Sequence, residues 1–111
     1  MISDIKKGDT INLECSINQS IENWKIRCEL YDDSGNSIKL ANINSGGSSQ
    51  QIEEDDIENG VFIIHVTKNL TTNFDDLSYI EIEIENENEE LLTVYQDEIQ
   101  FNDERITWTT P

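Results

Sequence analysis

From Tyr79 to Glu85 the chain reads Tyr-Ile-Glu-Ile-Glu-Ile-Glu, three isoleucines alternating with three glutamates. Successive side chains of an extended strand point to opposite faces, so this order puts isoleucine on one face and glutamate on the other. A helix would scatter the same residues around its circumference. The segment predicts a strand with one face in a core and the other in water.

The same period recurs along the chain. Residues 10–17 place Ile11, Leu13, Cys15 and Ile17 on one side. Residues 24–31 place Trp24, Ile26, Cys28 and Leu30 inward and Lys25, Arg27, Glu29 and Tyr31 outward. Asp32-Asp33-Ser34-Gly35-Asn36 has turn chemistry, because Asp and Asn accept their own backbone N–H groups and Gly tolerates positive φ. A third strand follows at 37–43, a polar loop at 44–49 and a short acidic edge strand at 50–57. Residues 61–67 are apolar on both parities and predict a strand covered on both faces. Residues 69–76 predict a helical turn crossing between sheets. Residues 91–101 change apolar parity, from Leu92 and Val94 to Ile99 and Phe101. That change requires an extra residue, and a bulge near Gln96-Asp97-Glu98 supplies it. Residues 105–108 predict a last short strand. Seven to eight short strands with frequent turns predict an all-β, Ig-like antiparallel β-sandwich.

The glutamate face belongs to a chain with 24 acidic and 7 basic side chains, a formal net charge of −17. Backbone binding to nucleic acid needs clustered Lys and Arg, so nucleic-acid partners are excluded, and an anionic membrane surface with them. No apolar run is long enough for a membrane helix. Residues 1–8 lack the apolar core of a signal peptide, and the expectation is synthesis in the cytoplasm. At 111 residues the chain predicts one domain, with 1–8 an amino-terminal arm and 107–111 a docking tail carrying Trp108. Two cysteines are too few for a disulfide framework, and a cytoplasmic origin favours free thiols at Cys15 and Cys28.

Few residues point to chemistry. Asp32, Ser34 and Asn36 have the alternate spacing that opens a calcium loop, but the twelfth position is Ile43 rather than glutamate, and an ordinary turn is the simpler reading. Glu53 and Asp55, in an acidic run, could hold a divalent ion; such runs more often keep a sheet edge solvated. His65, the single histidine, has no evident catalytic partner and reads as a hydrogen-bonded packing residue. No catalytic set and no cofactor motif are present, so the expectation is a non-enzymatic protein without cofactor or metal. Lys25, Arg27, Tyr31 and Trp108 are interface candidates, and the two basic residues also suit glutamates of a neighbouring strand.

Lys7-Gly8-Asp9-Thr10 before the first strand, Trp24-Lys25-Ile26-Arg27, the Asp32-Asp33-Ser34-Gly35 turn, Gly60-Val61-Phe62-Ile63-Ile64, Thr71-Thr72 and Tyr79-Ile80-Glu81-Ile82-Glu83 carry a resemblance. In this order they resemble small Ig-like virion proteins of tailed bacteriophages and prophages, and the amino-terminal Ig-like domain of phage baseplate proteins. The chain departs from them at Ser20-Ile21-Glu22-Asn23 and Gln96-Asp97-Glu98. The resemblance implies a structural protein of the virion, made in the host cytoplasm. It would decorate a capsid or join a tail or baseplate, and assemble with capsid, portal or tail proteins and copies of itself. The alternative is a small adhesion or carbohydrate-binding module.

Overall fold

The computed structural model describes residues 1–104. Eight strands form two sheets: β1 (Ile2–Lys7), β2 (Ile11–Ser16), β3 (Lys25–Tyr31), β4 (Ser37–Ala41), β5 (Ile52–Asp56), β6 (Val61–Val66), β7 (Leu77–Glu85) and β8 (Leu91–Glu104). The larger sheet has the order β1-β8-β7-β3-β4 and the smaller β2-β6-β5. All pairings are antiparallel except β1 with β8. The two sheets form an Ig-like sandwich, the fold class that the strand periodicity predicts.

Period-two patterning decides what lies between the sheets. Ile80, Ile82 and Ile84 of β7 are almost wholly buried, beside Ile26, Cys28 and Leu30 of β3. The small sheet contributes Ile11, Ile52, Phe62, Ile64 and Val66. Each fully buried side chain of this size contributes roughly 1.5–3 kcal/mol relative to exposure. Loops close the ends with Ile21, Trp24 and Phe74, and Phe74 meets Phe101 edge-on at 6.2 Å.

One buried polar side chain ties the sheets together. Asn42 is fully buried after β4. Its Oδ1 accepts from the backbone N–H of Ile26 and of Ser45, and its Nδ2 donates to the Trp24 carbonyl and to Glu54 of β5. An amide with both donors and its acceptor engaged carries no desolvation penalty left unmet.

Three expectations change. Residues 1–8 are not a free arm, because Ile2–Lys7 is β1 and pairs with the end of β8. The strand at 61–67 is not covered on both faces: Phe62, Ile64 and Val66 are buried while Val61, Ile63 and His65 are half-buried on the outside. The bulge lies at Val94 rather than at Gln96-Asp97-Glu98, since Ile82 faces Tyr95 while the next residue, Glu83, faces Thr93. Parity shows that an extra residue exists; only the partner strand locates it. The crossing at 69–76 is a series of turns joining β6 to β7, fixed where the Gly8 N–H donates to the buried Thr71 hydroxyl at 2.8 Å. The strand expected at 105–108, the tail at 107–111 and Trp108 lie outside the described residues.

Candidate functional site

Three regions carry polar or exposed apolar side chains: the outer face of the large sheet, the acidic turns, and the edge of β8 that has no strand partner among the described residues. On the outer face, β3 and β7 bring opposite charges together. Lys25 faces Glu85 and Arg27 faces Glu83, with ion pairs of 3.4 and 3.3 Å. Tyr31 faces Tyr79, with ring centroids 5.3 Å apart. The basic residues thus answer their own glutamates, as strand parity allows. Exposed cross-strand pairs of this kind contribute roughly 0.2–1 kcal/mol each.

Beside Arg27 a cleft of about 430 Å³ opens towards Lys39 of β4 and the loop at Ser45. Its carboxylates are engaged: Glu29 accepts from the Ser37 hydroxyl, Glu81 from Gln96, and Glu83 from Arg27. Arg27 Nε and Ser45 Oγ are buried without a partner among the described residues.

Asp32 braces a turn. Its Oδ1 accepts from the backbone N–H groups of Ser34 and Asn36, and its Oδ2 from Asn36 Nδ2 and the Asp75 N–H. Burial alone would raise its pKa; the bonds from Asp75, Asn36 and Ser34 outweigh it and hold the carboxyl below the ordinary range. The Ser34 hydroxyl donates to Asp75 and Asn36 Nδ2 donates to Asp32 and to the Asn73 carbonyl, so the residues spaced for a calcium loop are bound to one another and to the protein. Glu53 lies on β5 against His65, whose Nε2 is 3.0 Å from the carboxylate and whose Nδ1 is 2.7 Å from Asn12 Oδ1. Asp55 is the exposed extra residue of a bulge between β5 and β6. Among the described residues, no three His, Cys, Asp or Glu side chains converge as a metal site.

Both cysteines are free. They belong to different sheets, Cys15 to β2 and Cys28 to β3, so the pairing of successive strands that would have set them side by side does not occur. Burial, then Cys15 and Glu29, pushes the Cys28 thiol up to about 12. Burial, then Glu14, raises Cys15 as well.

The third region escaped notice in the sequence. β1 pairs with β8 only from Ile99 onwards. Along residues 91–98 the outer edge of β8 has no strand partner among the described residues. Here Leu91, Leu92, Val94 and Tyr95 stand 56, 45, 38 and 40% exposed. Below them a groove of about 310 Å³ runs between β8 and β2, with Ile2, Leu13, Cys15 and Ile17 among its walls. The available signal was six uncharged residues in succession, Leu91 to Gln96, bounded by Glu90 and Asp97.

Residues 7–78, well over half of the chain, match the family described as the secretion system C-terminal sorting domain, and the chain belongs to that family. The match runs from the last residue of β1 to the start of β7, leaving most of the β7–β8 hairpin beyond it. No curated protein matches the chain. Such a domain is non-enzymatic.

This membership overturns the phage resemblance and everything drawn from it. The chain is not a virion, capsid-decorating, tail or baseplate component, nor the adhesion or carbohydrate-binding module of the alternative reading. Its partners are not capsid, portal or tail proteins, and its place is not a virion assembled in a host cytoplasm. The physical reason is plain. Gly8-Asp9-Thr10, Gly60-Val61-Phe62 and Tyr79-Ile80-Glu81 encode strand entries and alternation that any such sandwich needs, and they carry no information about partners. With the cytoplasmic setting gone, the free thiols rest on the structure, in which both cysteines are unpaired.

Proposed function

We propose that this domain is a sorting signal, read by a bacterial secretion apparatus of type IX so that the protein carrying it leaves the cell. The observation that carries the reading is the family match over residues 7–78. A folded signal of this kind acts by being bound, which suits a domain with an accessible edge and groove and no assembled catalytic set among its described residues. The partners are components of the secretion apparatus, and the destination is the cell exterior. An acidic surface favours solubility during transit and keeps copies apart.

The test is export of a reporter. Residues 1–111 fused to the carboxyl end of a periplasm-directed reporter should bring it into the medium in a bacterium that has the apparatus. The same fusion should stay in the cell when the apparatus is deleted. Retention in both strains, or equal release from both, overturns the reading.

A further inference from the structure

We infer that the cleft beside Arg27, on the outer face of the large sheet, binds a free basic amino acid, its carboxylate turned inward to Arg27 and Ser45 and its ammonium groups outward to Glu29 and Glu81. This site goes beyond the sorting reading and does not depend on it. The family match assigns it no ligand.

Strand register builds the cleft. Two rows cross β7, β3 and β4: Glu83, Arg27 and Ala41 in one, Glu81, Glu29 and Lys39 in the next. Ala41 has the smallest side chain of these, so the floor dips beside Arg27. The loop after β4 forms the wall and closes tightly on the floor, because Gly47 leaves no room for a Cβ against the Ala41 carbonyl. The wall's backbone N–H groups are already used: those of Ser45 and Gly47 donate to the Asn42 carbonyl, and that of Gly46 to the Ile43 carbonyl. The Ser45 hydroxyl is what the wall offers to a ligand. The cleft holds about 430 Å³, enough for one amino acid.

Unmet donors set one end of the ligand. Arg27 spends its Nη2 on Glu83, but its Nε is buried without a partner among the described residues, and so is Ser45 Oγ. A guanidinium N–H only donates, so an acceptor oxygen must answer it. A carboxylate answers it best, through a charge-assisted hydrogen bond. Lys39, which has no ion pair among the described residues, adds a second cation to the same cleft.

Charge sets the other end. Two cations and three carboxylates line the cleft, a formal sum of −1, in a chain of net charge −17. A simple anion is repelled by that field. Glu29 takes the Ser37 hydroxyl on Oε2 and Glu81 takes Gln96 on Oε2, which leaves Oε1 of each for a further donor. A ligand with one carboxylate and two ammonium groups meets the donors and the carboxylates together, and its net positive charge suits the field. Lysine has that composition.

The experiment titrates the whole chain with L-lysine and follows the backbone amides by NMR. Binding should saturate and shift the amides of Ser45, Gly46 and Gly47 together with those of Arg27 and Lys39. Cadaverine, which has both ammonium groups and no carboxylate, should bind at least about tenfold more weakly. N-acetyl-lysine, its α-amine masked as in the last residue of a peptide, should also bind more weakly. Arg27→Lys keeps a cation for Glu83 but lacks Nε–H, and should lose about tenfold in affinity; Ser45→Ala should lose a smaller factor. Lys25→Gln, outside the cleft, should bind as the wild type does. Absence of saturable lysine binding means that water alone meets the two buried groups, and overturns the proposal. Equal binding of cadaverine, a response to positive charge alone, overturns it too. Equal binding of N-acetyl-lysine assigns the cleft to the carboxyl end of a peptide and refutes the free amino acid. Undiminished binding by Ser45→Ala and Arg27→Lys refutes the assigned contacts, as does a loss in Lys25→Gln equal to theirs. Should Arg27→Lys lose its amide dispersion and thus its fold, Ser45→Ala decides. Export of a fusion plays no part in these titrations, so failure of either reading leaves the other standing.

Discussion

At the scale of single residues the carboxylates divide by what they accept. Asp32 takes four N–H bonds from three residues, two of them across the turn and one from the β6–β7 crossing at Asp75. Its folded pKa lies below the ordinary aspartate value of 3.8, so the unfolded chain binds this proton first as acid is added. The stability it contributes is therefore complete above that value and is lost as the pH falls through the lower, folded value. Denaturant unfolding at pH 6 should show Asp32→Asn clearly less stable than the wild type, with the difference narrowing towards pH 2.5; a constant difference would falsify this account of the turn. Cys28 works in the opposite sense. Its thiol, pushed up to about 12, stays protonated where an unfolded one ionises near 9.0. The native protein at pH 8 should resist iodoacetamide at Cys28 and take up label fully only in denaturant, since the thiolate is the reactive form. Gly47 is constrained by space: a Cβ there would lie 2.0 Å from the Ala41 carbonyl oxygen. Backbone cannot yield as a side-chain end can, so Gly47→Ala should lower the thermal midpoint beyond the effect of Gly35→Ser, where nothing lies within 4 Å and the cost is the backbone strain of a side chain at φ +94°.

Strands obey the alternation that their residues impose, and mutations should respect it. On β7, Ile82→Ala removes a buried side chain between two sheets and should cost about 2–5 kcal/mol in urea unfolding. Its neighbour Glu83→Ala removes one end of an exposed ion pair and should cost at most about 1 kcal/mol. Exchanging the pair, Arg27→Glu with Glu83→Arg, should restore most of what either reversal loses, because the two positions face each other across β3 and β7. Much of this was legible in the residues. The inward sets of β2, β3 and β7, the Asp32 turn, the acidic edge at β5 and the answering charges on the outer face all follow from local patterning. The unpaired stretch of β8 was not legible. Leu92 and Val94 look like core residues in isolation, yet they stand partly exposed on β8.

The whole molecule carries its charge on an elongated body, 54 × 30 × 22 Å across the described residues. Many like charges within that volume repel, and salt screens them over a Debye length of about 8 Å at physiological strength. The thermal midpoint at pH 7 should therefore rise between 20 and 500 mM NaCl, by roughly a few degrees. A midpoint that falls with salt would mean that the ion pairs outweigh the repulsion.

Which face of β2, β3 and β7 meets the core was settled by the sequence alone, because the pleat is local: a side chain's direction depends only on its position in the run. The Ile-Glu alternation therefore fixed the burial of β7 before any partner was known. Which strands lie side by side was settled only by tertiary structure. Joining β1 to the end of β8 closes a loop of nearly the whole chain, and nothing local distinguishes that pairing from others of the same parity. The exposure of Leu91–Tyr95 and the assignment of Cys15 and Cys28 to opposite sheets depend on pairing between distant segments.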